Sequence, residues 1–206
     1  AIDMDSTLIG IECIDEVADI AGVRAEVSAI TAAAMRGEID YAESLRRRVG
    51  LLQGVGEEAL ARVYDERLLL SPGAETMLAA MKRAGVRTLL VSGGFSFFTE
   101  RLRTRLGLDF STSNVLDIER GHLTGRVVGQ VVDAEAKAAM LRSVGDRLGV
   151  AKAGIIAIGD GANDIAMMAE AGISIAYHAK PVARDKADYA LDHVGLDGVL
   201  NLFAGN

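Results

Sequence analysis

Apolar residues recur in two different patterns along the chain. From residue 12 to about residue 68 they repeat at helical intervals. Cys13, Val17 and Ile20 form one stripe that Gly22 ends, and Val27, Ile30 and Ala34 form a second within Arg24–Met35. Tyr41–Leu52 and Glu57–Tyr64 follow as a third helix and a short fourth; together the four are too small to stand as an independent domain. Ser71-Pro72-Gly73 marks a turn, and beyond it strand and helix alternate. The spacing predicts a helix over Ala74–Ala84, a buried strand over Arg87–Val91, a turn at Ser92-Gly93-Gly94 and a helix over Phe95–Leu106. Residues 113–132 hold two strand-like stretches around Glu119-Arg120-Gly121, a hairpin signal. A helix over Ala134–Leu148, a strand over Ile155–Ile158 and a helix over Asn163–Ala171 come next. Strands Ile173–Ala176 and Tyr189–Leu191 and a final helix near Leu196–Phe203 complete the succession. Residues 1–5 read as the end of a further buried strand. Such alternation predicts an α/β fold, a largely parallel sheet covered by helices on both faces, with its ligand site beyond the carboxyl ends of the strands.

Composition narrows the class. The 206 residues are 50% hydrophobic with only two prolines, which excludes a disordered chain, and no apolar run reaches the 18 or more residues of a membrane span. With 22 basic against 29 acidic side chains the net charge is −7, which disfavours nonspecific binding to nucleic acid or to an anionic membrane. Cys13 is the single cysteine, so no internal disulfide forms and no zinc spacing exists. It reads as a small buried hydrophobe in a protein of a reducing compartment, expected to be cytoplasmic, and no signal peptide is visible. His122, His178 and His193 read as structural or exposed.

Polar groups collect at the predicted strand exits: Asp3 and Asp5, Ser92 with Gly93 and Gly94, and Asp160 with Asp164, with Lys137 near a helix start. In an extended segment Asp3 and Asp5 point to the same side. Two such carboxylates bind a divalent metal or divide nucleophile and acid/base roles between them. With Asp160 they make an oxygen set of magnesium type. Lys137 would neutralise a carboxylate and an incoming phosphate, while Ser92 and the N–H groups of Gly93 and Gly94 would donate to phosphate oxygens. No GxxxxGK followed by Ser or Thr and no GxGxxG is present, so nothing demands a nucleotide. The assembly reads as a phosphate-transfer site.

Those residues carry a resemblance. Asp3-Met4-Asp5-Ser6-Thr7, Ser92-Gly93-Gly94-Phe95, Lys137 and Gly159-Asp160-Gly161-Ala162-Asn163-Asp164, in that order, resemble the phosphoserine phosphatases of the haloacid dehalogenase superfamily. The likeness extends to Ile11–Glu16, Ser44–Val49 and Ala176–Pro181. It implies a Rossmann-like three-layer core of residues 1–10 and 72–206 with a mostly parallel sheet, and a small helical cap, residues 11–71, inserted after the first strand. It implies magnesium-dependent hydrolysis of O-phospho-L-serine to L-serine and phosphate, the last step of L-serine biosynthesis, through an aspartyl-phosphate on Asp3. Asp5 would be the general acid and base. The Asp3 side chain, the Asp5 backbone carbonyl and the Asp160 side chain would hold one Mg²⁺, with Mn²⁺ as a substitute, and Asp164 would stand behind them, orienting metal-bound water or Lys137. Glu12 would receive the substrate ammonium and Arg48 its carboxylate, whose two oxygens suit a planar guanidinium. Met35 and Tyr41 would line the apolar side, and Ser92, Gly93, Gly94, Lys137 and Asn163 would touch substrate or phosphate. Family members can form homodimers and can carry an amino-terminal regulatory domain, and their first strand normally starts several residues before the first aspartate, so a longer parent chain is expected. The rivals are a phosphatase or phosphotransferase acting on phosphohomoserine, phosphothreonine or another small phosphomonoester, and a phosphate-ligand binding module without catalysis.

Overall fold

The computed structural model describes residues 1–203. Four helices come first: α1 (Cys13–Ala21), α2 (Arg24–Met35), α3 (Tyr41–Gly50) and α4 (Glu57–Arg62). After α5 (Ala74–Arg83) the chain alternates through β1 (Leu89–Phe95), α6 (Ser96–Leu106), β2 (Phe110–Glu119), β3 (His122–Val128) and α7 (Ala134–Leu148). It then runs through β4 (Ile156–Gly159), α8 (Ile165–Ala169), β5 (Ile173–Tyr177), α9 (Pro181–Arg184) and β6 (Tyr189–Leu191). The N-cap preference of short carboxylates is visible at two helices: Asp40 accepts the Glu43 N–H at 2.7 Å ahead of α3, and Asp133 the Ala136 N–H at 2.9 Å ahead of α7.

The amino-terminal residues join the two halves of the sheet. Ile2 bridges in parallel to Leu90 on β1 and to Ile158 on β4, so the strand order is β6-β5-β4, the first residues, β1-β2, with β3 antiparallel at the end. This is an α/β core with a mostly parallel sheet and inserted helices. One face of the sheet packs Leu89, Val91 and Ala157 against Leu141 and Val144 of α7 and Met167 and Met168 of α8. The other packs Ile2, Leu90, Ile158 and Ile175 against Met77 of α5 and Phe98 and Leu102 of α6. That second core continues without a break through Met4, Leu8 and Ile9 into Val17, Val27, Leu45 and Val49 of the first helices. The connection after α3 is also stitched to the hairpin, where Gly54 donates to Leu123 O, Leu123 to Val55 O and Glu57 to Gly121 O, each at 2.8 Å.

Several boundaries differ from the sequence pattern. The strand expected over Arg87–Val91 runs on to Phe95 and includes Ser92-Gly93-Gly94, because its pairing with β2 slips between Val91 and Phe95 instead of ending there. The first half of β2 is a parallel core strand and only its second half belongs to the hairpin. The helix read over Asn163–Ala171 divides into a 3₁₀ turn, Ala162–Asp164, and α8, since Asp164 turns its carboxylate back onto the preceding backbone. The final helix is a 3₁₀ run over Leu196–Leu202.

Candidate active site

The chain leaves the sheet at Asp3 and turns at once. Asp3 N–H donates to Ile158 O at 3.0 Å, and the turn closes through Leu8 N–H to Asp3 O at 3.2 Å and Ile9 N–H to Met4 O at 3.0 Å. Asp3 and Asp5 both keep extended dihedrals, while Ser6 between Asp5 and Thr7 takes φ +57° to reverse the chain. Asp3 and Asp5 therefore open into the same cavity, whereas Met4 between them is fully buried in the core.

That cavity, about 660 Å³, lies at the carboxyl ends of the strands and beneath the first helices. Its floor is electrostatic. The Lys137 ammonium, fully enclosed, donates to Asp3 Oδ1 at 2.7 Å and to Asp164 Oδ1 at 2.8 Å. Asp164 Oδ2 accepts the N–H groups of Asp160 at 3.1 Å and Gly161 at 3.0 Å, so both of its oxygens are committed. Asp160 is held loosely, by Thr7 Oγ1 at 3.4 Å and by the Lys180 ammonium at 3.4 Å, although Lys180 N–H fixes its carbonyl at 2.8 Å.

Oxygens of Asp3, Asp160 and Asp164 come within 4.8 Å of one another. Two ammoniums, Lys137 and the more distant Lys180, face three carboxylates there. Burial pushes the Asp3 carboxyl well above its usual range, Asp164 adds to this and Lys137 opposes it; burial also raises Asp160. Burial would lower the Lys137 ammonium, but Asp3 and Asp164 outweigh it and hold the amine charged. An all-oxygen donor set with excess negative charge, and with Asp3 and Asp160 not fully committed, fits a hard divalent cation. Burial first, and then Glu12, push the Asp5 carboxyl up to about 7, against the pull of the Cys13 N–H donated to its Oδ1 at 3.0 Å.

The walls bring together the rest of the sequence candidates. Glu12, Met35, Tyr41, Arg48, Gly93, Gly94 and Asn163 all border the cavity. Glu12 accepts the Ser6 hydroxyl at 2.7 Å, and desolvation by the surrounding protein raises its carboxyl even though the side chain reaches solvent. Arg48 makes one long contact, Nε to Ser44 O at 3.4 Å. Met35 is 73% exposed and stands at the mouth. Tyr41 OH donates to Gly93 O at 3.1 Å, and burial pushes the phenol up to about 12, so it remains a donor. A Cβ on Gly94 would sit 2.7 Å from Asp5 Oδ2, which is why the backbone approaches the carboxylates so closely there. Ser92 and Lys137 are fully enclosed within the floor; the Ser92 hydroxyl accepts Gly94 N–H at 2.8 Å, so the Gly94 N–H expected to meet phosphate is already spent. Three contributors had no role in the sequence reading. Thr7 and Lys180 sit inside stretches that the resemblance flagged without assigning them work, and Asn114, whose side-chain amide donates to Gly93 O at 2.7 Å, had no signal at all.

Residues 1–172 match the haloacid dehalogenase-like hydrolases, and the chain belongs to that family. Among its relatives it is 56% identical to a phosphoserine phosphatase of Polaromonas sp. strain JS666, over 98% of this chain and 88% of that one. It is 54% identical to a phosphoserine phosphatase of Albidiferax ferrireducens over the same shares. A solved structure of a phospho-aspartyl intermediate analogue of phosphoserine phosphatase superposes with a TM-score of 0.91 at 38% identity, covering 98% of this chain and 96% of that one. A haloacid dehalogenase family hydrolase from Salmonella enterica serovar Typhi superposes with a TM-score of 0.96 at 40% identity, covering 100% and 70%. No helix among the described residues is long and apolar enough to cross a membrane.

Proposed function

We infer that this chain hydrolyses O-phospho-L-serine to L-serine and phosphate in a magnesium-dependent reaction, through an aspartyl-phosphate. The observation that carries the reading is the opening of Asp3, paired with Lys137, into the same cavity as Asp5, Glu12 and Arg48.

An Asp3 carboxylate oxygen attacks phosphorus, the bond from phosphorus to the seryl oxygen breaks, and Asp5 gives that oxygen its proton. Water then attacks the phosphorus of the acyl phosphate, Asp5 takes the water's proton, and phosphate leaves Asp3 free. Lys137 keeps Asp3 oriented and offsets part of the charge on nucleophile and phosphate, while the Gly93 N–H is turned to the phosphoryl oxygens, the Gly94 N–H being spent on Ser92. Asp3, the Asp5 carbonyl and Asp160 would hold one Mg²⁺, which supplies charge neutralisation and alignment of the phosphoryl group. Asp164, with both oxygens spent on Lys137 and the 160–161 backbone, acts by positioning. Asn163 touches phosphate or substrate from the rim.

Residues 11–71 act as the cap over a core of residues 1–10 and 72–206. Glu12 takes the substrate ammonium, Arg48 its carboxylate, and Tyr41 and Met35 enclose the short carbon chain between them. The single, enclosed cysteine supports a cytoplasmic site of action. A homodimer and an amino-terminal regulatory domain belong to the same family reading, and mass in solution tests the first.

The test is phosphate release in Mg²⁺ and in EDTA, comparing O-phospho-L-serine with phosphothreonine, phosphohomoserine and an aryl phosphate. The expected result is a large kcat/KM preference for phosphoserine, lost in EDTA and reduced by about 10⁴-fold or more in Asp3→Asn. Turnover of another ester alone would move the substrate assignment. Phosphate binding without turnover would leave a binding module.

A further inference from the structure

The bulged stretch of β1 that brings Gly93 and Gly94 to the cavity is produced by a break in sheet pairing. Leu89, Leu90 and Val91 of β1 pair with Phe110, Ser111 and Thr112 of β2, and the next partners are Phe95 and Asn114. Three residues of β1 thus stand against one of β2, a bulge that throws 92–94 out of the ladder and toward the site. A carbonyl released in this way needs a new donor.

Asn114 provides it. Its side chain is 1% exposed, and Nδ2 donates to Gly93 O at 2.7 Å while Oδ1 accepts the Val132 N–H at 2.8 Å. A carbonyl on one side and an N–H on the other leave only one orientation of the amide that satisfies both. Val132 immediately precedes Asp133, which caps α7 and accepts Lys137 N–H on its carbonyl at 2.9 Å. One turn into that helix the Lys137 ammonium meets Asp3. The side chain of Asn114 therefore ties the glycine bulge to the start of the helix that carries the lysine. The same Gly93 carbonyl has a second donor, Tyr41 OH at 3.1 Å, which arrives from α3.

We propose that Asn114 is a positioning residue for the hydrolysis: its side-chain amide fixes the Ser92–Gly94 bulge and the Lys137 helix relative to each other, and so sets the shape of the phosphate subsite. This rests on reading the cavity as a phosphatase site. Asn114 itself touches no substrate, since it lies beneath the bulge and outside the cavity lining. Its work is geometric, and displacements of about 1 Å at a reacting centre cost up to about 100-fold in rate.

Asn114→Asp keeps the size and the acceptor toward Val132 but removes the donor toward Gly93. Asn114→Ala removes both bonds without adding charge. The readouts are kcat and KM for O-phospho-L-serine, the affinity for inorganic phosphate in Mg²⁺ by titration calorimetry with its stoichiometry, and the thermal midpoint. The expected result is a fall in kcat/KM of about tenfold or more per binding-competent molecule, together with phosphate affinity weakened by about fivefold or more. Either variant, once folded, decides the matter. A lowered midpoint with phosphate affinity and turnover per competent molecule equal to wild type would reduce Asn114 to a structural residue and overturn the proposal. Should both variants fail to fold, Asn114→Ser, whose short hydroxyl cannot bridge Gly93 and Val132, is expected to weaken phosphate about two- to fivefold, and unchanged affinity there overturns it too. A wild-type protein that binds phosphate but turns over no ester would refute the phosphatase reading while leaving the affinity comparison intact.

Discussion

The floor and the walls of the cavity are built on opposite terms. On the floor, Lys137, Asp3 and Asp164 are buried and joined by bonds of 2.7 and 2.8 Å, and Asp164 is pinned by two backbone donors besides. On the walls, Arg48 makes one contact at 3.4 Å, Glu12 accepts one hydroxyl, and Met35 is mostly in solvent. The difference follows from what each group costs when left alone. A buried charge without a partner costs several kcal/mol, so Lys137 and Asp164 are satisfied, and Asp3 paired on one oxygen, before any ligand arrives. Wall groups bordered by water can wait for the ligand to satisfy them. On the function proposed above, bond making falls to a fixed frame and selection among esters to side chains with little else to do.

The strongest way to break this contrast is Lys137→Met, which leaves Asp3 and Asp164 facing each other in the interior. A loss of about 3–5 kcal/mol is expected, read as a fall of about 10 °C in thermal midpoint along with loss of phosphatase activity. A midpoint within about 2 °C of wild type would mean that the floor is not held by this ion pair. On the wall, Arg48→Ala is expected to leave stability unchanged and to lower kcat/KM for O-phospho-L-serine by about 10- to 100-fold, with an aryl phosphate altered less than about threefold. Equal losses on both esters would assign Arg48 to the phosphoryl group. The smallest effect belongs to Ser44, whose hydroxyl is enclosed beside Arg48 without a hydrogen-bond partner. Ser44→Ala deletes an unsatisfied group and improves helix propensity, so the thermal midpoint should hold or rise by about 1–2 °C. A clear drop in a melting curve would show that this hydroxyl is paired in solution.

Much of the floor was legible in the sequence because its residues sit in short, ordered motifs at strand exits, where an α/β sheet gathers ligands. Asp3, Asp5, Asp160 and Lys137 could be named from that placement alone. The wall could be named only by resemblance, since Arg46, Arg47 and Arg48 look alike as a charge run, and which of them faces the cavity is decided by the rotation of α3. Asn114 was illegible for another reason: its role exists only because β1 and β2 slip against each other, and register is a property of two strands, not of one. The Gly94 N–H, expected to donate to phosphate, instead donates to the Ser92 hydroxyl, a contest between neighbours that spacing cannot express.

The way the sheet is threaded has a consequence in time. Lys137 and Asp3 are 134 positions apart, and Thr7 reaches across 153 positions to Asp160. Closing such long loops is entropically costly and slow, whereas the helices between them form from local contacts. During synthesis Asp3 emerges 134 positions ahead of the lysine that pairs with it, and waits unpaired until that lysine and then Asp160 have followed. Competence is therefore acquired in a single late event, and a chain halted before Asp160 holds an aspartate but no enzyme.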